Sequence, residues 1–202
     1  MEKLIKIKRA LISVSDKTGI VELAKDLCGR NIEIVSTGGS ASILRDAGFR
    51  VTEVSKLTGF PEMMDGRLKT LHPNVHGGLL ADRDEKSHVN AMEEYKVKEI
   101  DLLVVNLYPF VETVRAGADY AHCIENIDIG GPAMIRAAAK NFKYVATLVD
   151  IEDYEDLVNE LKTNNGCTSY SFRKKLSQNA FSLTAYYDLS LIHISEPTRL
   201  LA

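Results

Sequence analysis

The sequence has few cysteines, no block of charge of one sign and no long apolar segment. Its three cysteines, Cys28, Cys123 and Cys167, lie far apart and form no Cys-x-x-Cys pair, which argues against a disulfide framework and against a zinc knuckle. The apolar runs, such as residues 102–105, are much shorter than the ~20 residues that cross a bilayer. We therefore expect a cytoplasmic protein with no membrane segment.

Charge and length limit the function classes further. The 25 basic and 28 acidic residues give a formal net charge of -3 and are mixed along the chain, so no basic stripe is available for a nucleic-acid polymer. Residues 1–9 alternate Lys with Leu and Ile and lack the apolar core and cleavage site of a signal peptide. The 202 residues, 45% of them hydrophobic, predict one globular domain with a substantial core.

Short apolar runs alternate with amphipathic segments along most of the chain. The strand candidates are residues 9–14, 32–36, 51–54, 100–106 and 144–149. The helix candidates are the segment after the Ser15-Asp16 cap and residues 40–47, 85–95, 132–140, 152–161 and 172–188. This alternation predicts an α/β fold with a mostly parallel sheet and helices on both faces.

Two segments do not follow the alternation. Residues 57–84 lack clean periodicity, are rich in Gly and Pro, and are too long for a simple connection, so we predict an active-site loop there. Residues 189–202 do not continue the preceding helical pattern, and residues 191–199 resemble translated vector read-through. We expect a domain at 1–188 and a non-native or disordered tail at 189–202.

Two hydroxyl-rich loops follow neighbouring strand candidates. They are Ser-Val-Ser-Asp-Lys-Thr-Gly at 13–19 and Ser-Thr-Gly-Gly at 36–39, where Gly38 and Gly39 predict a tight turn. Backbone N–H groups, hydroxyls and a Lys at a helix N-terminus suit a phosphate. Taken singly, the loops could be only a helix cap and a turn. Since both should open on the same edge of the sheet, phosphate binding is favoured.

A third segment concentrates hydrogen-bond donors at Arg67, Lys69, Thr70, His72 and His76, which indicates an anionic ligand. The two histidines have the i, i+4 spacing of a zinc pair. A proline follows the first, which disrupts a helical presentation, and no third ligand accompanies them. We therefore predict no metal site.

Two further segments carry candidate chemistry. Asn106 and Tyr108 end a buried strand candidate, where they could read an amide or a base edge. Tyr108 and Phe110 could equally serve as packing at the rim. Asp128 precedes a helix candidate that ends at Lys140. It either caps that helix or pairs with a cation.

Six motifs, taken in order, resemble the inosine monophosphate cyclohydrolase family over residues 9–188. They are Ser-Val-Ser-Asp-Lys-Thr-Gly (13–19), Ser-Thr-Gly-Gly (36–39), Thr-Gly-Phe-Pro-Glu-Met-Met-Asp-Gly-Arg (58–67), Lys-Thr-Leu-His-Pro (69–73), Asn-Leu-Tyr-Pro-Phe (106–110) and Ile-Asp-Ile-Gly-Gly (127–131). The family normally forms the N-terminal part of a bifunctional enzyme with aminoimidazole carboxamide ribonucleotide transformylase. That second region is absent here, so formyl transfer from a folate is not expected.

The resemblance implies a methylglyoxal-synthase-like three-layer α/β/α fold. The implied reaction is the dehydrative closure of 5-formamidoimidazole-4-carboxamide ribotide (FAICAR) to inosine monophosphate (IMP), the last step of de novo purine biosynthesis, with no cofactor and no metal. The implied partners are this nucleotide and a second copy of the chain in a homodimer.

The resemblance also implies the site residues. The binding residues are Ser13, Ser15, Lys17, Ser36, Thr37, Gly38, Gly39, Arg67, Thr70, Asn106, Gly130 and Gly131. The catalytic group is Lys69, Tyr108, Asp128 and Lys140. As a hypothesis, Asp128 pairs with Lys140 to move protons, while Tyr108 and Lys69 polarise and orient the reacting groups.

Three other functions remain open on the sequence alone. A methylglyoxal-synthase-type lyase would share the phosphate loops, but the Asn-Leu-Tyr-Pro-Phe segment argues against it. A regulatory nucleotide-binding module would not need both Asp128 and Lys140. A metal-dependent hydrolase would depend on His72 and His76.

Overall fold

Five short strands form one parallel sheet in a computed structural model, which describes residues 3–195. The strands are β2 (Arg9–Ile12), β3 (Glu33–Ser36), β4 (Val51–Glu53), β5 (Leu102–Val104) and β6 (Ala146–Leu148), and their order in the sheet is β4-β3-β2-β5-β6. Strand β1 (Ile5–Lys6) pairs antiparallel with β7 (Cys167–Thr168) in a separate ribbon. All five predicted strands are present, so the predicted parallel sheet is confirmed.

Helices cover both faces of this sheet. They are α1 (Ile20–Gly29), α2 (Gly38–Asp46), α3 (Val54–Thr58), α4 (Pro73–Leu80), α5 (Lys86–Glu94), α6 (Phe110–Arg115), α7 (Tyr120–Glu125), α8 (Gly130–Lys140), α9 (Asp153–Thr163) and α10 (Tyr170–Ser195), with a 3-10 turn at Met64–Gly66. None of the helices within residues 3–195 combines the length and the apolar character that crossing a membrane requires.

The central strand β2 shows how the three layers arise. Its residues Ala10 and Ile12 face a core that includes α1 and α9, whereas Leu11 faces a second core that includes α4 and α8. All three side chains are fully buried, because a parallel strand covered on both faces has no solvent side. The predicted three-layer α/β/α arrangement is confirmed.

The segment 57–84 is more ordered than its sequence predicts. It contains α4, which begins at Pro73, and a proline is favourable at the first position of a helix. A Cβ atom on Gly78 would lie 2.5 Å from the carbonyl oxygen of Lys98 and one on Gly77 3.1 Å from Val97. These glycines therefore allow close packing of the helix, and the interpretation of the whole segment as a loop is wrong.

Helix α10 continues past the predicted end of the domain. It extends to Ser195, with Ser190 buried and Leu191 packed against the apolar cluster of Phe110, Cys123 and Tyr187. The prediction that the helical pattern ends at 188 is therefore wrong, because packing against the rest of the fold orders this turn. Residues 196–202 of the predicted tail lie outside the described residues, and the non-native origin of 189–202 stays a prediction.

A fully buried arginine joins the N-terminal segment to α10. The guanidinium of Arg173 donates hydrogen bonds to the carbonyl oxygens of Lys3, Phe142, Lys143 and Thr168, and its exposed fraction is 0%. The five N–H donors of a guanidinium suit this role. Arg173 therefore holds together segments that are remote in the sequence, at a point where no water is available.

Candidate active site

A cavity of about 570 Å³ lies at the carboxyl edge of the sheet, where parallel α/β sheets place their ligands. The loops after β2, β3 and β5 line it, together with the start of α8. The predicted site residues in its wall are Ser13, Ser15, Lys17, Thr37, Gly38, Gly39, Arg67, Lys69, Thr70, Asn106, Tyr108, Asp128, Gly130 and Gly131. The structure thus brings together every predicted site residue except Ser36 and Lys140.

One end of the cavity is built for an anion. Helix α2 begins at Gly38, two residues earlier than predicted, and the φ angle of Gly38 is 54°, in the left-handed region that favours glycine. Two lysines extend over this helix start. A Cβ atom on Gly38 would lie 3.0 Å from Nζ of Lys69, and one on Gly39 would lie 3.2 Å from Cε of Lys17. Backbone N–H groups and two cations therefore converge on one point.

The loop after β2 is held in place by two side chains. Asn106 accepts hydrogen bonds from the backbone N–H groups of Ser15 (2.6 Å) and Asp16 (2.9 Å) and donates one to the carbonyl of Asp16 (2.8 Å). Ser40 accepts from the N–H of Val14 and donates to its carbonyl. Asn106 was predicted to read a base edge, but its amide is engaged with this loop. Ser40 ends the hydroxyl-rich segment predicted at 36–40, and its hydroxyl bonds the backbone of Val14.

The wall of the same cavity carries a carboxyl group with a raised pKa. Asp128 precedes α8, and its Oδ1 accepts a hydrogen bond of 2.8 Å from the N–H of Gly131. Burial raises the pKa of Asp128 above its usual value, and this bond from Gly131 only partly opposes the effect. The side chain of Tyr108 is half exposed beside it in the cavity wall. Asp128 therefore satisfies a backbone N–H at the start of α8 and presents a carboxyl group with a raised pKa to the cavity.

Two acidic residues that the sequence did not single out contact the predicted cations. Oε1 of Glu62 lies 3.2 Å from Nζ of Lys69, and Arg67 forms an exposed ion pair with Glu125, which also lines the cavity. The signal for Glu62 was its place in the Thr-Gly-Phe-Pro-Glu-Met-Met-Asp-Gly-Arg motif. Glu125 opens the segment 125–133 that leads into α8, but nothing in the sequence pairs it with Arg67, which is 58 residues away.

Two predicted site residues do not reach the cavity. Ser36 is buried, and its hydroxyl donates to the carbonyl of Ile12 in the neighbouring strand, so it stabilises the sheet. Lys140 is exposed at the end of α8, about 15 Å along the helix axis from Gly130. The predicted pairing of Asp128 with Lys140 is therefore not formed within the chain.

The two histidines of the predicted cationic segment have other roles. Nδ1 of His72 accepts from the N–H of Asn74 and so caps α4, while burial lowers the pKa of His76. Neither histidine lines the cavity. Within residues 3–195, no three His, Cys, Asp or Glu side chains are grouped closely enough to hold a metal ion.

The fold and the site define a domain of the methylglyoxal-synthase-like class, and comparison with known proteins agrees. Residues 19–133 match the model described as "MGS-like domain", and residues 138–197 match the model described as "AICARFT/IMPCHase bienzyme". The chain belongs to the MGS-like domain family, in the branch that continues into the AICARFT/IMPCHase bienzyme. The resemblance predicted from the six motifs is confirmed.

Curated relatives give the same assignment. The chain is 62% identical over 191 residues to the bifunctional purine biosynthesis protein PurH of Dinoroseobacter shibae and 60% identical to that of Ruegeria pomeroyi. Each match covers 95% of the chain and 36% of the relative, so the chain spans about a third of the length of these relatives. The solved structure titled "Crystal structure of ForH" is 36% identical, with a TM-score of 0.82 over 93% of the chain and 98% of that structure.

Proposed function

We propose that this chain is an IMP cyclohydrolase, which closes the ring of FAICAR to give IMP. The observation that carries the proposal is that one cavity joins the cationic start of α2, with Lys17 and Lys69, to the carboxyl group of Asp128. A ribotide needs an anion site at one end and acid–base chemistry at the other. The similarity to the bifunctional PurH proteins supports the same reaction.

The proposed binding mode follows from the two ends of the cavity. The 5′-phosphate lies at the N–H groups of Gly38 and Gly39 with the Lys17 ammonium beside it, since charge-assisted hydrogen bonds to phosphate are about twice as strong as neutral ones. The imidazole ring lies against the apolar wall of the cavity. That wall is formed by Val105, Ile124, Ile127, Ile129 and Met134.

Ring closure requires proton transfers in both of its steps. The carboxamide nitrogen attacks the formyl carbon of the same molecule, so a C–N bond forms while the nitrogen loses a proton and the formyl oxygen gains one. In the second step the resulting hydroxyl group takes up a proton and leaves as water, while the formamido nitrogen loses its proton and the ring C=N bond forms. An amide nitrogen is a weak nucleophile, so the site must hold the formyl group against it and stabilise the charge that develops on the formyl oxygen.

Three residues are assigned roles in this step. Asp128 exchanges protons with the reacting groups, because a raised carboxyl pKa brings it closer to working pH. Lys69, whose ammonium group lies beside Gly38 in the structure, stabilises negative charge on the formyl oxygen after its side chain turns towards it. Tyr108 orients the carboxamide. Lys140 is left out of this group, since its side chain lies away from the cavity.

The test is a turnover assay of the whole chain with FAICAR in a buffer that contains a chelator and no folate. Formation of IMP, followed by ultraviolet absorbance, is the expected result. A folded protein that binds IMP but forms none from FAICAR would contradict the proposal and favour the regulatory nucleotide-binding module.

The remaining expectations concern where and how the chain acts. Its three cysteines are free thiols, which supports a reducing, cytoplasmic environment. The homodimer stays a prediction, and sedimentation of the purified chain decides it.

A further inference from the structure

A buried tyrosine of α10 contacts the backbone of the proposed acid–base residue. The N–H of Asp128 donates a hydrogen bond of 2.7 Å to the hydroxyl oxygen of Tyr187, whose exposed fraction is only 6%. This bond joins residues 59 positions apart. A partly buried N–H that lost this acceptor would lose a hydrogen bond within the protein, which is costly wherever no other acceptor replaces it.

The tyrosine ring also supports the segment that carries Tyr108. Tyr187 meets Phe110 edge to face, with ring centroids 6.4 Å apart and an interplanar angle of 71°. Leu107 and Ile127, which adjoin Tyr108 and Asp128 in the sequence, pack against the same cluster. One side chain of α10 thus contacts both segments that present the proposed catalytic groups.

The position of this contact in the sequence is informative. Asp128 lies within residues 19–133, which match the MGS-like domain, whereas Tyr187 lies within residues 138–197, which match the AICARFT/IMPCHase bienzyme. The contact therefore links the general fold to the segment that distinguishes this branch of the family.

We infer that Tyr187 is a positioning residue for the ring closure: its hydroxyl fixes the backbone of Asp128, and through it the carboxyl group, in the reactive geometry. This inference rests on the proposed function. It assigns a role in catalysis to α10, although none of the described side chains of this helix lines the cavity.

The test replaces Tyr187 with phenylalanine, which removes only the hydroxyl, and uses Tyr186→Phe as the matched control. Tyr186 is the preceding residue of the same helix, and its exposed fraction is 63%. In Tyr187→Phe, hydrogen exchange of the backbone amide of Asp128 should accelerate about tenfold or more. The kcat should fall by a similar factor, while KM stays within about twofold of its original value. Changes of this size are expected for the loss of one hydrogen bond. Tyr186→Phe should change none of these quantities.

A second pair of variants separates positioning from loosened packing. Cys123→Ala disturbs the same apolar cluster without touching Asp128, so it should lower the thermal midpoint and leave the exchange of the Asp128 amide unchanged. In an Asp128→Asn background, Tyr187→Phe should cause no further loss of kcat, since the group that it positions is already missing.

The outcomes are distinguishable. Unchanged exchange of the Asp128 amide in Tyr187→Phe overturns the inference, and so does faster exchange with unchanged kcat. An equal loss of kcat in the Asp128→Asn background also overturns it. If the unsubstituted chain forms no IMP, the proposed function fails and the catalytic part of the inference fails with it, while amide exchange still decides whether Tyr187 fixes Asp128.

Discussion

The side-chain oxygen of Asn106 lies 2.6 Å from the backbone nitrogen of Ser15, 91 residues away in the sequence. Together with two bonds to Asp16, this contact attaches the loop after β2 to the end of β5. The same loop carries Lys17 towards Gly39. The shape of the anion site thus depends on a side chain that belongs to a different strand.

Replacing Asn106 with alanine should therefore weaken nucleotide binding without removing a charge. Loss of the three bonds releases the loop from the end of β5, so the free energy of unfolding should fall by about 1–3 kcal/mol and IMP affinity by about tenfold. Denaturant titration and calorimetry measure the two effects. The exposed Asn90 of α5 is the matched control, and equal affinities for Asn106→Ala and Asn90→Ala would contradict the assignment.

Lys17 should contribute to binding through its charge. Methionine keeps most of the length of this side chain, so Lys17→Met should weaken IMP binding about 10–100-fold, as expected for a charge-assisted hydrogen bond to phosphate. Lys25→Met in the exposed part of α1 changes the net charge equally and should have little effect. Calorimetry at two salt concentrations checks this, and a similar loss in both variants would indicate only a general electrostatic effect.

Asp128→Asn should lower turnover at least about 100-fold and at the same time stabilise the fold. Burial raises the folded-state pKa of Asp128, so its stabilising contribution is complete below the unfolded pKa and is lost as pH rises through the folded pKa. Asparagine keeps the oxygen that accepts from Gly131 and has no charge to bury. The thermal midpoint of the Asp128→Asn variant should exceed that of the unsubstituted chain near pH 7, and this difference should shrink towards pH 4.

Asp119→Asn is a control variant for which the expected change in the thermal midpoint near pH 7 has the opposite sign. The N–H and the ring of His122 hold the pKa of Asp119 below its usual value, so this carboxylate stabilises the fold above its unfolded pKa, and that contribution is lost as pH falls. Asp119→Asn should therefore lower the midpoint near pH 7. Midpoints that move in the same direction for both variants would contradict the account of Asp128.

Arg173 should be essential for stability and not for chemistry. Arg173→Met leaves several buried carbonyl groups without a donor, at about 1–3 kcal/mol each, so the free energy of unfolding should fall by at least about 3 kcal/mol. Lys174→Met, at the exposed neighbouring position, should change it by less than about 0.5 kcal/mol. Urea titration of both variants measures this, and a small effect of Arg173→Met would show that the buried network contributes little.

The sheet and the two hydroxyl-rich loops could be predicted because each depends on a short-range sequence pattern. A buried strand such as β2 is recognisable in the sequence as an apolar run. The turn after β3 favours a glycine at position 38, because the φ angle of Gly38 is positive. Helix α4 could not be predicted in the same way. Its glycines pack against Lys98 and Val97, and these tertiary contacts override the low helix propensity of glycine.

Two predicted site residues that do not line the cavity, and one contact that was not predicted, have a similar explanation. Ser36 shares a motif with Gly38, but the alternation of side chains along β3 directs its hydroxyl to Ile12 in the neighbouring strand. Lys140 was placed by resemblance alone, and the length of α8 separates it from Asp128. Tyr187 carried no local signal, since only the three-dimensional packing of α10 brings it to Asp128.

The most direct test of the central claim is mass spectrometric identification of the product formed from FAICAR by the unsubstituted chain and by Asp128→Asn. The account predicts a product lighter than FAICAR by one water. The unsubstituted chain should form it at least about 100-fold faster than Asp128→Asn does, as expected for loss of a preorganised catalytic group. Release of inorganic phosphate would instead indicate a lyase. Unchanged FAICAR in the presence of folded protein that binds IMP would contradict the claim.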